Sequence, residues 1–210
     1  RPSVVCLSPD SFRRMSAFYM MKWISHRYGF GTYIHFLKGY YSNESKKEAD
    51  ISLSKLIHVT DETKSNIFLD TIISPSNTSA IVQALQTTSI SGKDNNMLLF
   101  EYRKGEKTWL EDIIDNHSLV TTAGFDLCIL ASSDKEFGIR NEIHIWLTRD
   151  DYDNGNLMIL LSYIILGHPD WKNGEIKIFA LYSKEEAQTE REHLLQLTET
   201  GRLPISANNI

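Results

Sequence analysis

With 210 residues, of which 41% are hydrophobic and 23% charged, the chain has an ordinary globular composition and enough length for one large domain or two small ones. A formal net charge of −5, with no Lys/Arg run, excludes nucleic acid as the expected partner, because phosphate affinity comes from clustered cations. The most apolar run, Leu157–Leu166, is about half the roughly 20 residues that a bilayer requires, so it reads as a buried helix rather than a span.

The chain opens "RPSVV" with neither an initiator Met nor a signal peptide, and reads as a piece cut from a longer protein. Its first strand-like run, Val4–Leu7, contains Cys6; Cys128 lies in a similar run, and both are expected as small core residues. In "SFRRMSAFYMMKWISHRYG", Phe12, Met15, Tyr19, Trp23 and Ile24 share one helical face. Asp10 or Ser11 is placed to cap the start of that helix, and Gly29 and Gly31 stop it. The "GFG" at this point follows a helix and precedes a strand, the reverse of the order a dinucleotide fingerprint needs.

Four more strands are expected at Tyr33–Leu37, Ile67–Ile73, Met97–Phe100 and Leu127–Ala131. Helices are expected over Glu44–Ile57, Thr78–Gln86 and Lys107–Thr121, with polar connections at Ser74–Ser79 and Thr87–Asn96. Continuous apolar strands alternating with helices predict an α/β fold: a mainly parallel sheet with helices on both faces. Glu111, Asp112 and Asp115 have the spacing of a solvated helix face, and Trp109 that of a core residue.

After the polar stretch Ser132–Asn141 the order of elements starts again. Ile143–Leu147 reads as a strand, "TRDDYDNGN" as an acidic turn, Leu157–Leu166 as a helix, and Ile176–Phe179 as a second strand before an acidic-basic helix. The chain is thus expected to form two lobes, 1–135 and 136–210. The second is incomplete, since "GRLPISANNI" stands where its third strand would begin.

The chemistry-bearing motifs are missing. No GxxxxGK[ST] or GxSxG occurs, and the seven histidines are scattered without HxxxH or Cys-x-x-Cys spacing. Aligning Asp150 with the first position of a calcium loop puts Gly155 at position six but Leu161 at position twelve, where the bidentate Glu belongs. Asp150, Asp151 and Asp153 are therefore expected to cap the following helix. No catalytic residue, metal ligand or cofactor is expected. Trp146 is expected in the core, and Trp171, in the polar loop "HPDWKNG", as an exposed contact residue.

The stretch from Asn141 to Phe179 resembles the second half of the cytosolic C-terminal domain of cation-chloride cotransporters, in a prokaryotic-like form. Ile145, Trp146 and Leu147 match the family's strand, Asp153 and Gly155 its Asp-Gly turn, and Leu157, Leu160, Leu161, Tyr163 and Ile164 its apolar helix. Trp171 matches the loop Trp, and Ile176, Lys177, Ile178 and Phe179 the last strand. The turn "DDYDNGN" departs from the adjacent Asp and Gly pairs of animal members. The resemblance implies two lobes similar to the universal stress protein fold. It further implies a regulatory and dimerising role beside a membrane domain of the same polypeptide, on the cytoplasmic side, and a homodimer contact with Trp171 as its candidate residue. The glycine signature through which stress proteins bind ATP, G-x-x-G-x₉-G-[ST], is missing. The competing expectation is a stand-alone stress-type protein that senses a nucleotide or another small molecule at its strand ends.

Overall fold

The computed structural model describes residues 1–200 except 28, 62, 64, 90, 91, 93, 182, 184 and 185; the expected strand start in "GRLPISANNI" lies outside them. The fold is α/β, and the chain divides into two compact units, Arg1–Glu136 and Phe137–Ile210.

The first unit is built on five parallel strands: β1 (Ser3–Ser8), β2 (Phe30–Lys38), β3 (Ile67–Ser74), β4 (Met97–Arg103) and β5 (Asp126–Ser132), in the spatial order β3-β2-β1-β4-β5. Helices α1 (Ser16–Ile24), α2 (Asn43–Asp61), α3 (Asn77–Leu85), α4 (Lys107–Asp115) and α5 (His117–Thr122) make the crossovers. Right-handed crossovers that move outward from β1 to β3 put α1 and α2 on one face, and the return to β4 puts the later helices on the other. Alternation along the strands agrees. Val5, Leu7, Ile34, Phe36, Leu98 and Phe100 point to α3, α4 and α5 and pack with Ala80, Ile81, Trp109, Ile113 and Val120. Tyr33, one residue out of phase, meets Phe18 of α1 edge-on at 5.7 Å. Both faces of the central strands are buried, which is why they read as unbroken apolar runs.

Two expectations need correction here. The helix after β1 does not start at Asp10 or Ser11. The Asp10 carbonyl accepts from the amides of Arg13 and Arg14 in a separate turn, and helical geometry begins only after Met15, whose φ of −119° and ψ of 7° are not helical. The single helix expected over Lys107–Thr121 is two, broken at Asn116 (φ −98°, ψ 6°), whose side-chain amide donates to the Asp112 carbonyl at 2.7 Å and so closes α4.

The second unit holds β6 (Glu142–Leu147) and β7 (Glu175–Ala180), paired in parallel through α6 (Tyr152–Leu166), with α7 (Ala187–Thr200) following. Ile145, Leu147, Ile176 and Ile178 face Ile159 and Leu194 in its core. The alternate residues of both strands stand on the opposite face. There the Trp146 ring stacks on Phe179 (4.6 Å between centroids, 17° between planes) and is 61% exposed, so the core position expected for it is not the one it takes. The apolar α6 is not buried all round either: Gly155, Ile159, Ser162 and Ile165 form the buried stripe, and Leu160 and Tyr163 are exposed.

The glycines of "GFG" serve packing. A Cβ on Gly29 would lie 2.7 Å from the Ser25 Cα, 3.0 Å from the Ile24 carbonyl oxygen and 3.1 Å from that of Pro2, all backbone atoms that cannot step aside. Gly29→Ala is expected to destabilise the fold by about 1–3 kcal/mol. Gly39→Ala, where an added methyl meets nothing within 4 Å, should leave it within about 0.5 kcal/mol. Thermal melts of the two variants check the contrast; equal melting temperatures would contradict it.

Candidate functional site

In an open parallel sheet, ligands settle outside the carboxyl ends of the strands where the strand order reverses. Here that point lies between β1 and β4: the chain leaves β1 toward β2 on one side and returns to β4 on the other. A cavity of about 190 Å³ sits there, lined by the turn after β1 (Asp10, Arg13, Arg14), the start of α1 (Met15, Ser16), the end of β4 (Glu101, Arg103) and residues that follow β4 and β5.

The floor is Glu101, 1% exposed in the otherwise apolar strand "MLLFEYR". Its Oε2 accepts the amide N–H of Ala17 at 2.7 Å, in the first turn of α1. A carboxylate contributed by a strand thus satisfies one of the orphan donors that a local cap would ordinarily take, and it complements the positive end of the helix dipole. Its second oxygen, Oε1, is buried with no hydrogen-bond partner among the described residues. Leaving a buried acceptor unmade costs about 1–3 kcal/mol, and more when it is charged.

The walls carry charge in engaged pairs. Arg14, 11% exposed, reaches Glu106 at 2.9 Å and Asp10 at 3.6 Å. Arg13 lies 3.9 Å from Asp10 on the rim, and Arg103 is bonded to Asp134. Because Glu101 already occupies the amino end of α1, a phosphate would meet a buried carboxylate there rather than a row of amides.

Beside this cavity a buried polar pair links β1's turn to β2: the Ser11 hydroxyl and His35 Nδ1 are 2.9 Å apart, with Ser11 fully buried and His35 8% exposed. It has the composition of a nucleophile and base. Unlike Glu101, neither side chain lines the cavity, so the pair reads as a structural tie. Burial lowers the His35 pKa, which outweighs the opposing fields of Asp10 and Glu48. The thiols are equally unsuited to attack. Burial raises the Cys6 pKa well above the ordinary thiol value and pushes that of Cys128 up to about 11. No group of three or more His, Cys, Asp or Glu among the described residues could hold a metal ion.

No protein-family model and no curated protein matches the chain.

In the second unit the acidic turn does not cap its helix as expected. Asp151 precedes α6, but its Oδ2 turns back to accept from the amide (2.8 Å) and hydroxyl (2.7 Å) of Thr148, which lowers its pKa. Trp171, expected on the surface, is 7% exposed in the 3₁₀ turn Pro169–Trp171. His168 Nδ1 accepts the Asp170 amide at 3.1 Å, and Arg140 pairs with Asp170 at 3.6 Å, which folds "HPDWKNG" inward. A Cβ on Gly174 would meet the Trp171 ring at 3.4 Å. The exposed Trp of this unit is instead Trp146, stacked on the half-buried Phe179, with His144 edge-on to Phe179 at 5.0 Å. Beside them Glu142 accepts from Lys177 (2.6 Å) and from His144 (2.7 Å), and these two bonds hold its carboxyl below the usual range.

Neither Glu101 nor the cavity was among the residues the sequence singled out. A signal existed: a lone Glu within a continuous apolar strand is a buried charge, which needs a partner or a use. His35 supplies a test of the local geometry. Its pKa is lowered on folding, so above about 6.5 both states are neutral and it adds nothing; below that, the unfolded chain binds the proton first and the fold loses stability. His35→Gln is expected to shrink the fall in melting temperature between about pH 7.5 and 5.5. An unchanged fall in the variant would place the loss elsewhere.

Proposed function

We propose that the chain is a non-enzymatic regulatory and dimerisation module, the cytosolic part of an electroneutral cation-chloride cotransporter whose Na⁺, K⁺ and Cl⁻ pass through a membrane domain of the same polypeptide. The observation that carries the assembly role is the half-covered sheet of the second unit. Parallel strands are almost always buried on both faces, and two strands alone are marginal. Yet β6 and β7 carry helices on one side and present the Trp146–Phe179 stack on the other. Exposed, pre-stacked aromatics are the usual anchors of an interface, and closed twofold symmetry is the commonest arrangement for identical subunits. The transporter assignment itself rests on the resemblance between Asn141 and Phe179. No described helix is long and apolar enough to cross a membrane, so spanning segments belong elsewhere in the polypeptide on this reading.

The non-enzymatic part rests on chemistry: thiols whose pKa values are raised, a buried Ser11–His35 pair outside the cavity, and a switch point whose helix end is already taken by a carboxylate. In this role Trp171 is an internal brace for the loop, and the contact is centred on Trp146. The cavity beside Glu101 favours a second reading, a stand-alone small-molecule sensor. The parent gene separates the two. The transporter reading expects about twelve apolar segments of roughly 20 residues ahead of Arg1; a parent without them overturns it. Cross-linking tests the contact. Trp146→Cys in the intact membrane protein should form a disulfide-linked dimer, whereas Ile129→Cys, on the exposed edge of β5, should not. Cross-linking through Ile129→Cys alone would place the interface on the first unit.

A further inference from the structure

We propose that the switch-point cavity of the first unit binds a small molecule carrying a protonated amine, with an ammonium N–H donating to Oε1 of Glu101. The inference stands on the first unit alone and goes beyond the transporter reading, which it does not require.

Three observations converge on this ligand chemistry. First, Glu101 is buried to 1% exposure, lines the cavity, and holds Ala17 with only one of its two oxygens; the other has no partner among the described residues. A carboxylate oxygen can be satisfied only by a donor, and a charged donor satisfies it best. Second, five carboxylates and three guanidiniums line the cavity, and each guanidinium already faces an acid: Arg14 between Glu106 and Asp10, Arg13 at Asp10, Arg103 at Asp134. An anion would have to break one of these pairs and then approach Glu101; a cation meets a net negative lining and breaks nothing. Third, the cavity of about 190 Å³ lies where parallel α/β sheets bind ligands, and its size suits a compact molecule.

The carboxylate's divided role also links the ligand to the fold. Glu101 ties β4 to the first turn of α1, so an ammonium drawn to Oε1 pulls on the group that holds that helix end. Occupancy is therefore expected to reach the backbone amide of Ala17, which gives a readout on the unmodified protein.

Three probes distinguish the possible sources of the amine: propylammonium for a simple monoamine, putrescine for a diamine, and glycine for a zwitterion. Each is titrated calorimetrically into the 210-residue chain, with ATP as the anionic control. At least one amine is expected to bind saturably at millimolar concentration or below, and ATP is expected to give no competing heat. Glu101→Gln keeps an oxygen for the Ala17 amide but turns an NH₂ donor toward the ligand, so affinity should fall about tenfold or more. Should that variant fail to fold, the wild-type protein decides: in ¹⁵N-labelled chain the Ala17 amide resonance must move with the same saturation curve as the heat. Absence of saturable binding by all three amines up to about 10 mM, equal affinity in Glu101→Gln, or binding that leaves the Ala17 amide unmoved each overturns the proposal. None of these results bears on the membrane segments or the Trp146 contact, so the two proposals fail separately.

Discussion

The first unit turns on one buried contact, the carboxylate of Glu101 taking the amide of Ala17. A helix that begins at Ser16 with no local side-chain cap has its free donors facing inward, and unsatisfied donors in a dry interior are costly. A carboxylate in the middle of an apolar strand is costly for the same reason. Each removes part of the other's penalty, and the pair locks α1 against the far side of β1, so the helix cannot slide without exposing both. The consequences spread from there. The turn Asp10–Arg14 is fixed by its own ion pairs, the cavity opens between that turn and the end of β4, and Gly31 lets α1 lie so close that an added methyl would meet the Met21 side chain at 2.9 Å.

The second unit follows a different economy. Its strands share the parallel pairing and the helix crossover of β1 and β2, but the face that would meet α3–α5 in the first unit carries an aromatic stack and an ion-pair cluster instead of aliphatic residues. Val5, Leu7, Ile34 and Phe36 suit a permanent helical cover; His144, Trp146, Lys177 and Phe179 make an amphipathic face that is partly open to water.

Most of the architecture was legible in the sequence because its signals are local. Apolar runs and helical spacing located every strand among the described residues and the body of each helix named, and their alternation implied the parallel sheet that is present. What escaped was non-local. Asp10 and Ser11 look like caps, yet the cap arrives from a residue 84 positions away, and nothing in the spacing announces it. Trp146 and Trp171 took each other's expected environments for a related reason. Strand alternation sends one Trp to the face opposite the helices, where it is largely exposed, while the loop carrying the other is folded inward by His168 and the Arg140–Asp170 pair. The break at Asn116 needed a side chain bonded four residues back, which propensity alone does not foresee.

The strand order also sets a schedule for folding. The central strand β1 acquires its second neighbour only when β4 exists, and the ties between them are long: the amide of Ser3 donates to Asn96 across 93 residues. At ribosomal speeds of about 5–20 residues per second, that interval is on the order of ten seconds. Throughout it one long edge of β1, "SVVCLS", buried on both faces in the finished fold, stays unpaired, and from the completion of β3 it borders a three-stranded sheet. Such an edge is a template for pairing with another chain, and high contact order lengthens the exposure. The strand that ends this interval also closes the site, because Glu101 reaches Ala17 only as β4 slides in beside β1.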